Sequence, residues 1–254
     1  MKVLLFGKYG QVGWELNRAL QPLGEVIALG RSEADFSDPE SLRNIVARIK
    51  PDVIVNSAAY TAVDKAEEEE EHATVINAES PGVLAEEALK NNALLVHYST
   101  DYVFNGEKSS PYSEDDATDP INAYGRTKLA GEDAIRLTKC DYLILRTSWV
   151  YASRGHNFLL TILKLAKERD SLSIVSDQSG APTSASLIAQ TTMSCIHQAM
   201  QKKHNREFSS DTYHLTSSGH TSWYGFACAI IDLAREKSRI KLNSDNIRAI
   251  ATQE

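Results

Sequence analysis

Along the first 150 residues, short apolar runs alternate with stretches of helical period. Residues 3–6 form an unbroken apolar run that predicts a buried strand, and residues 12–20 predict the helix behind it. A second strand is expected over 26–29. Asp38-Pro39-Glu40 predicts a helix start, with Asp38 as N-cap and Pro39 in the first helical position; that helix runs to about residue 49. Strands are expected over 52–56, 94–99 and 142–146, and a helix over 77–89. Strands this apolar, separated by helices, indicate an α/β fold: a Rossmann-type, doubly wound parallel sheet covered on both faces.

Beyond residue 148 the pattern loosens. It predicts helices over 157–168, 186–200 and 222–236, and strands over 172–175 and 213–216. Residues 177–184, with Gly180 and Pro182, read as a polar loop. No internal repeat or low-complexity segment interrupts the chain.

Composition narrows the class. A chain of 254 residues accommodates one large domain, or a domain with a smaller lobe. Hydrophobic residues at 42% and charged residues at 24% suit a soluble globular enzyme. A net charge of −7 with no basic block speaks against nucleic acid or an acidic membrane as partner. The acidic run 67–71 reads as the solvated face or end of a helix. Cys140, Cys195 and Cys228 are odd in number and lack metal-type spacing, so they read as reduced thiols, and no metal site is expected from them. The first apolar run is too short for a signal-peptide core and no run approaches membrane-spanning length, so a cytoplasmic location is expected.

The first candidate chemistry is Gly7-Lys8-Tyr9-Gly10-Gln11-Val12-Gly13, which follows a strand and opens a helix. Gly7 permits a tight turn, Gly10 lets backbone N–H groups approach a pyrophosphate, and Gly13 lets helix and strand pack closely. The anion then sits at the positive end of the helix dipole. An acid that would bind a ribose 2′-hydroxyl should end the second strand; Ala28-Leu29-Gly30-Arg31-Ser32 has none there. A guanidinium at Arg31 suits a 2′-phosphate, so NADPH is favoured over NADH, with NADH still open.

The second candidate is Tyr124 with Lys128, four apart on one helical face. An ammonium beside a phenol is expected to pull the tyrosine down from about 10 towards neutrality. A tyrosine so tuned exchanges a proton with an alkoxide. The pair follows the fourth strand, which ends in Tyr98-Ser99-Thr100-Asp101-Tyr102 at the carboxyl edge of the sheet, where ligands of open α/β sheets bind. Thr100 can place its hydroxyl on the same substrate oxygen. His97, on the apolar strand, reads as a core histidine.

The chain resembles the dTDP-4-dehydrorhamnose reductase family of extended short-chain reductases. The resemblance rests on the glycine loop, Asn56-Ser57-Ala58-Ala59-Tyr60-Thr61-Ala62-Val63-Asp64, and Tyr98 through Phe104. It continues in Tyr124 through Gly131, Arg146-Thr147-Ser148-Trp149-Val150-Tyr151 and Asp177 through Thr183. It implies reduction of the C4 ketone of dTDP-4-dehydro-6-deoxy-L-mannose to dTDP-L-rhamnose with NAD(P)H. It implies Tyr124 as proton donor, Lys128 as its electrostatic partner and ribose ligand, and Thr100 as the carbonyl hydrogen-bonder. Gly7, Gly10, Gln11, Val12, Gly13 and Arg31 would hold the cofactor. Asp35 and Phe36 would flank the adenine, Ala59, Tyr60 and Thr61 would line the cleft, and Tyr98 would sit beside it. Thr100, Asp101 and Trp149 would contact the sugar. Trp149 as core packing, Asp101 as a turn cap and 177–183 as a surface loop remain alternatives.

The implied organisation is a cofactor-binding Rossmann domain of residues 1–148 and about 187–217. Residues 149–186 and 218–254, approximately, would form a sugar-nucleotide-binding lobe. Many family members carry Asp where Gly30 stands. The sequence ends at Ala251-Thr252-Gln253-Glu254, whereas the resemblance would continue into a Pro- and Arg-containing segment and a terminal helix. An acidic tail linked to Mg²⁺ at a dimer contact is implied for relatives but maps onto no residue here. Mg²⁺ and a homodimer stay open.

Two other readings share the fold. A sugar-nucleotide dehydratase or epimerase would carry Asp-Glu straight after the threonine, where this chain has Asp101-Tyr102. A non-catalytic subunit resembling the methionine adenosyltransferase β subunit would not require intact Thr100, Tyr124 and Lys128.

Overall fold

Val3, Leu4, Leu5 and Phe6 are completely buried in the first strand, as an apolar run without a polar face requires. The structure, a computed structural model, describes residues 1–237 and 240–252. In chain order the elements begin β1 (Lys2–Phe6), α1 (Gln11–Ala19), β2 (Glu25–Leu29), α2 (Pro39–Ile49), β3 (Val53–Asn56), α3 (Val63–Ala66) and α4 (Glu70–Thr74). A π turn over Val75–Glu79 leads into α5 (Ser80–Asn91), followed by β4 (Leu94–Thr100), α6 (Ala123–Thr138) and β5 (Asp141–Thr147). The remainder is β6 (Val150–Tyr151), α7 (Phe158–Glu168), β7 (Leu172–Val175), β8 (Ser179–Gly180), β9 (Thr183–Ser184) and α8 (Ala185–His204). It closes with β10 (Asp211–His214), β11 (Thr221–Ser222), α9 (Trp223–Lys237) and β12 (Ile247–Ile250).

Two units result: Met1–Thr147 with Ser186–Leu215, and Ser148–Ala185 with Thr216–Glu254. The first holds a six-stranded sheet in the order β10-β5-β4-β3-β1-β2. Every pairing in it is parallel. The chain leaves β1 for β2 on one side and reaches β3 on the other, so the strand order reverses between β1 and β3. That switch point is where an open α/β sheet leaves a crevice at its carboxyl edge. Leu4, Phe6, Leu42, Val46, Ile54, Leu84, Leu95 and Ile144 form the core cluster against α2 and α5.

Local signals worked as their chemistry demands. The Asp38 carboxylate accepts the Ser41 N–H at 3.1 Å and Pro39 opens α2. Asn122 caps α6 by accepting the Gly125 N–H at 2.8 Å.

The second unit packs α7 and α9 around Ile162, Ala166, Ala227, Ile230 and Ile231. Three two-stranded ladders frame it: β6 with β9, β7 with β12, and β8 with β11. Here the sequence expectations need correcting. The stretch 177–184 is not simply a loop, because β8 and β9 form within it. The expected strand at 213–216 is instead Asp211–His214, since pairing with Leu143 through Arg146 of β5 sets the register and Tyr213 stays half exposed. The helix expected at 77–89 starts earlier, in the π turn. β6, β11 and β12 carry no periodic signal of their own length and were not anticipated.

Candidate active site

The glycine loop closes on the switch point. Gly7 adopts φ +86°, and a Cβ there would stand 2.9 Å from the Ala58 nitrogen. A Cβ on Gly13 would stand 2.1 Å from the Gly7 carbonyl oxygen, so no side chain fits. Ser57 seals the far side by donating its hydroxyl to the Phe6 carbonyl at 2.6 Å. Gly10 is the N-cap of α1 and offers no capping side chain; Gln11 and Val12 open the helix. The exposed amide end of α1 is therefore narrow, free of side chains at its glycines, and suited to a diphosphate.

At the end of β2 the structure supplies what the sequence lacked. Glu33 folds back so that its Oε2 accepts the Gly30 N–H at 2.7 Å, while Oε1 pairs with Lys8. The Tyr9 ring covers Gly30, where a Cβ would come within 2.5 Å of it. A carboxylate thus stands at this strand end after all, delivered from three residues along. Arg31 is exposed and lies near enough to Asp35 to help lower that carboxyl; the Ser37 N–H is the larger cause. Phe36 is buried against Phe6 in the core, ring edge to ring face at 5.5 Å, and presents no open ring at this strand end.

The π turn positions the next wall. Asn77 is buried and accepts the Tyr60 N–H at 2.8 Å. It also donates to the Tyr60 carbonyl at 3.1 Å and to Thr127 Oγ1 at 3.1 Å. One amide thereby clamps the Ala59-Tyr60-Thr61 segment to α6. Gly131 allows the approach, because a Cβ there would meet the Asn77 carbonyl oxygen at 2.1 Å. Asn77 was absent from the sequence expectation; nothing local marks a π turn.

The acidic run was expected to be the solvated face or end of a helix; it spans the end of α3 and the start of α4, and Glu67, Glu69 and Glu70 also bind other segments. Glu67 accepts the Ala123 N–H at 2.7 Å, a carboxylate on the N-terminus of α6. Glu70 takes a two-pronged bond from Arg126, and Glu69 accepts the Tyr60 hydroxyl at 2.8 Å.

α6 carries Tyr124 and Lys128 past the end of β4. Tyr102 meets Tyr124 edge to face at 5.5 Å. Thr100 donates to the Asp101 carboxylate at 3.1 Å and accepts the Tyr102 N–H at 3.3 Å, so the threonine itself caps this turn. Asp101 is crowded by protein atoms while still reached by solvent; burial raises its carboxyl to about 6.

Lys128 does not do what its spacing suggested. Burial raises the Tyr124 phenol to about 12, with a hydrogen bond to Thr100 opposing and the Asp101 carboxylate adding to the rise. The Lys128 amine turns towards β4, donating to the Tyr98 carbonyl at 2.7 Å and lying 3.2 Å from His97 Nε2. Its own ammonium is pushed down to about 8 by burial. Helical spacing placed the two residues on one face, but burial outweighed the attraction expected between them. Tyr98 likewise turns its ring inward, its hydroxyl bonded to Thr192 at 2.6 Å, and offers the site its carbonyl.

Behind this lies a buried ion pair. Glu132, two turns along α6 from Tyr124, receives Arg146 at 2.7 and 2.9 Å and Arg136 at 2.7 Å.

Trp149 belongs to the second unit. It adopts φ +46° and stacks on Trp223 with ring centres 3.4 Å apart, and Gly180 lies against its ring. The Trp223 indole donates to Gln178 at 3.3 Å. The stretch 177–183 is thus built around an aromatic pair.

Among the described residues no cluster of His, Cys, Asp and Glu could hold a metal ion, and no helix is long and apolar enough to cross a membrane. Gln253 and Glu254 lie outside the described residues.

A parallel sheet with a glycine loop at its switch point and Thr100, Tyr124 and Lys128 at its carboxyl edge defines a short-chain dehydrogenase/reductase. Comparison with known proteins narrows this. The chain belongs to the family described as RmlD substrate binding domain, which matches residues 1–254, and within it to the dTDP-4-dehydrorhamnose reductases. It is 55% identical over 231 residues to the dTDP-4-dehydrorhamnose reductase of Burkholderia thailandensis, covering 91% of this chain and 78% of that protein. It is 49% identical over 256 residues to that of Escherichia coli K12, covering 99% and 84%. The crystal structure of the Bacillus anthracis dTDP-4-dehydrorhamnose reductase in complex with NADP superposes with a TM-score of 0.89. It is 34% identical and is matched over 99% of this chain and 84% of that one.

Proposed function

We propose that the protein reduces the C4 ketone of dTDP-4-dehydro-6-deoxy-L-mannose to give dTDP-L-rhamnose, using NADPH in preference to NADH. The observation that carries this reading is the partly buried Tyr124 of α6 set beside Thr100 at the end of β4, in a chain half identical to reductases of that name.

The residues present fit a dinucleotide. Gly7 and Gly13 leave a cradle that a Cβ would fill, and the amide end of α1 opens on it. Gly10, Gln11 and Val12 would hold the diphosphate, Asp35 and Arg31 the adenosine end, and Ala59, Tyr60 and Thr61 the inner wall. When bound, the nicotinamide supplies the hydride.

Tyr124 then does the acid chemistry. A phenol raised to about 12 is fully protonated at neutral pH, the state a proton donor needs. Its O–H proton passes to the oxygen of the reduced carbonyl. Thr100, already fixed by Asp101 and the Tyr102 N–H, stabilises the same oxygen as charge develops. Lys128 supports the ribose and the field around Tyr124. Asp101 and Trp149 are the proposed sugar contacts. Asp101-Tyr102 after Thr100 leaves no carboxylate base at the neighbouring carbon, which favours reduction over dehydration.

Arg31 favours a 2′-phosphate. Glu33 opposes it, but its charge is offset by Lys8. The NADP complex of the Bacillus anthracis relative supports the same choice.

The test is oxidation of NADPH and NADH with a panel of dTDP- and UDP-linked 4-keto sugars. Stoichiometric oxidation only with the dTDP-4-keto-L-sugar is expected. Turnover of a sugar without net cofactor oxidation would instead indicate a dehydratase or epimerase.

A further inference from the structure

Trp149 lies between β5 and β6 with φ +46°, a left-handed backbone that a residue with a bulky side chain rarely adopts. Such a conformation costs free energy and persists only where its surroundings impose it. Here β9 imposes it: the Thr183 N–H donates to the Trp149 carbonyl at 3.2 Å, and Val150 pairs with Thr183. What the turn delivers is the indole, laid on the Trp223 ring with 5° between the planes and 3.4 Å between centres. Neither indole is fully buried, and among the described residues neither belongs to the apolar core between α7 and α9. The strained turn therefore does not serve core packing. Trp223 is fixed independently of Trp149. It is the first residue of α9, its Nε1–H donates to Gln178 Oε1 at 3.3 Å, and the Phe158 ring packs on it at 4.5 Å. Phe158 in turn packs against the α7–α9 core, so that helix pair sets the orientation of Trp223. Gly180 bounds the first indole as well. A Cβ there would stand 2.3 Å from Trp149 Cε2, and β8 holds Gly180 in register with Thr221, two residues before Trp223.

We propose that Trp223 is a positioning residue that, with Gly180, fixes the Trp149 indole in the orientation in which it meets the sugar of the substrate. The sugar contact rests on the reductase reading above; the fixing of one indole by the other does not. An indole offers a flat apolar face to the C–H face of a deoxysugar, and the match depends on the tilt of the ring. A tryptophan beside a two-residue strand would otherwise keep rotamer freedom that binding has to remove. The stack removes that freedom beforehand, which strengthens binding without a new contact to the substrate. Trp223 thus acts on substrate affinity through Trp149 and leaves the proton chemistry at Tyr124 unchanged.

The test has two arms on the full chain. The first is ¹H–¹⁵N NMR of the indole N–H groups of the three tryptophans, with Trp149 assigned by its loss in Trp149→Leu. Trp223→Leu removes the stacked ring and Gly180→Ala pushes a methyl into the indole, so each should move the Trp149 signal. Trp223→Phe keeps an aromatic face and should move it less than Trp223→Leu. A Trp149 signal unmoved by Trp223→Leu overturns the proposal. The second arm is the KM for the dTDP-4-keto-6-deoxy-L-sugar. Trp223→Leu should raise it by about tenfold, with kcat and the Kd of NADPH within about twofold of the parent. Trp223→Phe should restore KM to within about threefold of the parent. Added to Trp149→Leu, Trp223→Leu should change KM no further, because a residue that acts through another then has nothing left to act on. A full further rise in the double variant, or an equal loss of NADPH affinity in Trp223→Leu, overturns the proposal. Should Trp149→Leu itself leave KM unchanged, the sugar-contact reading fails, and the NMR arm still decides whether Trp223 fixes the indole.

Discussion

Asn77 donates to Thr127 Oγ1 at 3.1 Å, and Thr127 Oγ1 in turn donates to the Tyr124 carbonyl at 3.0 Å. The π turn and the helix bearing Tyr124 are thereby one hydrogen-bonded structure, as π turns near functional sites often are. Replacing Asn77 by Ala leaves the Tyr60 N–H without its acceptor and frees both ends of the clamp. A loss of about 1–3 kcal/mol of stability is expected, read by denaturant titration, together with a raised KM for the cofactor. Unchanged stability and KM would show that the clamp is idle.

Tyr124→Phe removes the proton donor while keeping the ring that meets Tyr102. Turnover should fall by about 10²–10⁴-fold, with cofactor affinity by fluorescence titration nearly intact. Because burial holds the phenol near 12, Tyr124 itself gives the parent no loss of activity on the alkaline side until about pH 11.

Asp101 has a raised carboxyl, from 3.8 to about 6. The folded state binds the extra proton in that window, so this residue's contribution is fully present below 3.8 and is lost as pH rises towards 6. Asp101→Asn removes the dependence. The variant should gain stability relative to the parent as pH rises through that range, measured as the difference in denaturation midpoint. A difference independent of pH would contradict the assigned ionisation.

Cofactor choice should respond to two opposed groups at the end of β2. Arg31→Asp is expected to shift the ratio of kcat/KM values towards NADH by tenfold or more. Glu33→Gln frees Lys8 and removes a carboxylate, so the ratio should move several-fold towards NADPH. Pairs of kcat/KM values for the two cofactors check both; movement of Glu33→Gln towards NADH would refute the repulsive role given to Glu33.

By itself the sequence determined what depends on neighbours a few residues apart. Apolar runs without a polar face became buried parallel strands. Asp38 with Pro39 became a capped helix start, because a cap needs only the next turn. The Gly7-to-Gly13 spacing set the loop, since Gly7 and Gly13 leave no room for a Cβ against each other and the Ser57-Ala58 segment that follows β3. The four-residue interval put Tyr124 and Lys128 on one helical face.

Tertiary structure decided whatever joins distant segments. Glu33 reaches the strand end only because its loop folds back on Gly30. Glu67 meets Ala123, 56 residues away, so a solvent-facing acidic run also holds the start of the helix that bears Tyr124. β12 exists because β7 accepts it, a pairing invisible in either short segment. The proton states were settled in the same way. Spacing could show that a phenol and an amine were neighbours, but the cost of burying charge depends on everything packed around them. That cost raised Tyr124 and turned Lys128 towards His97.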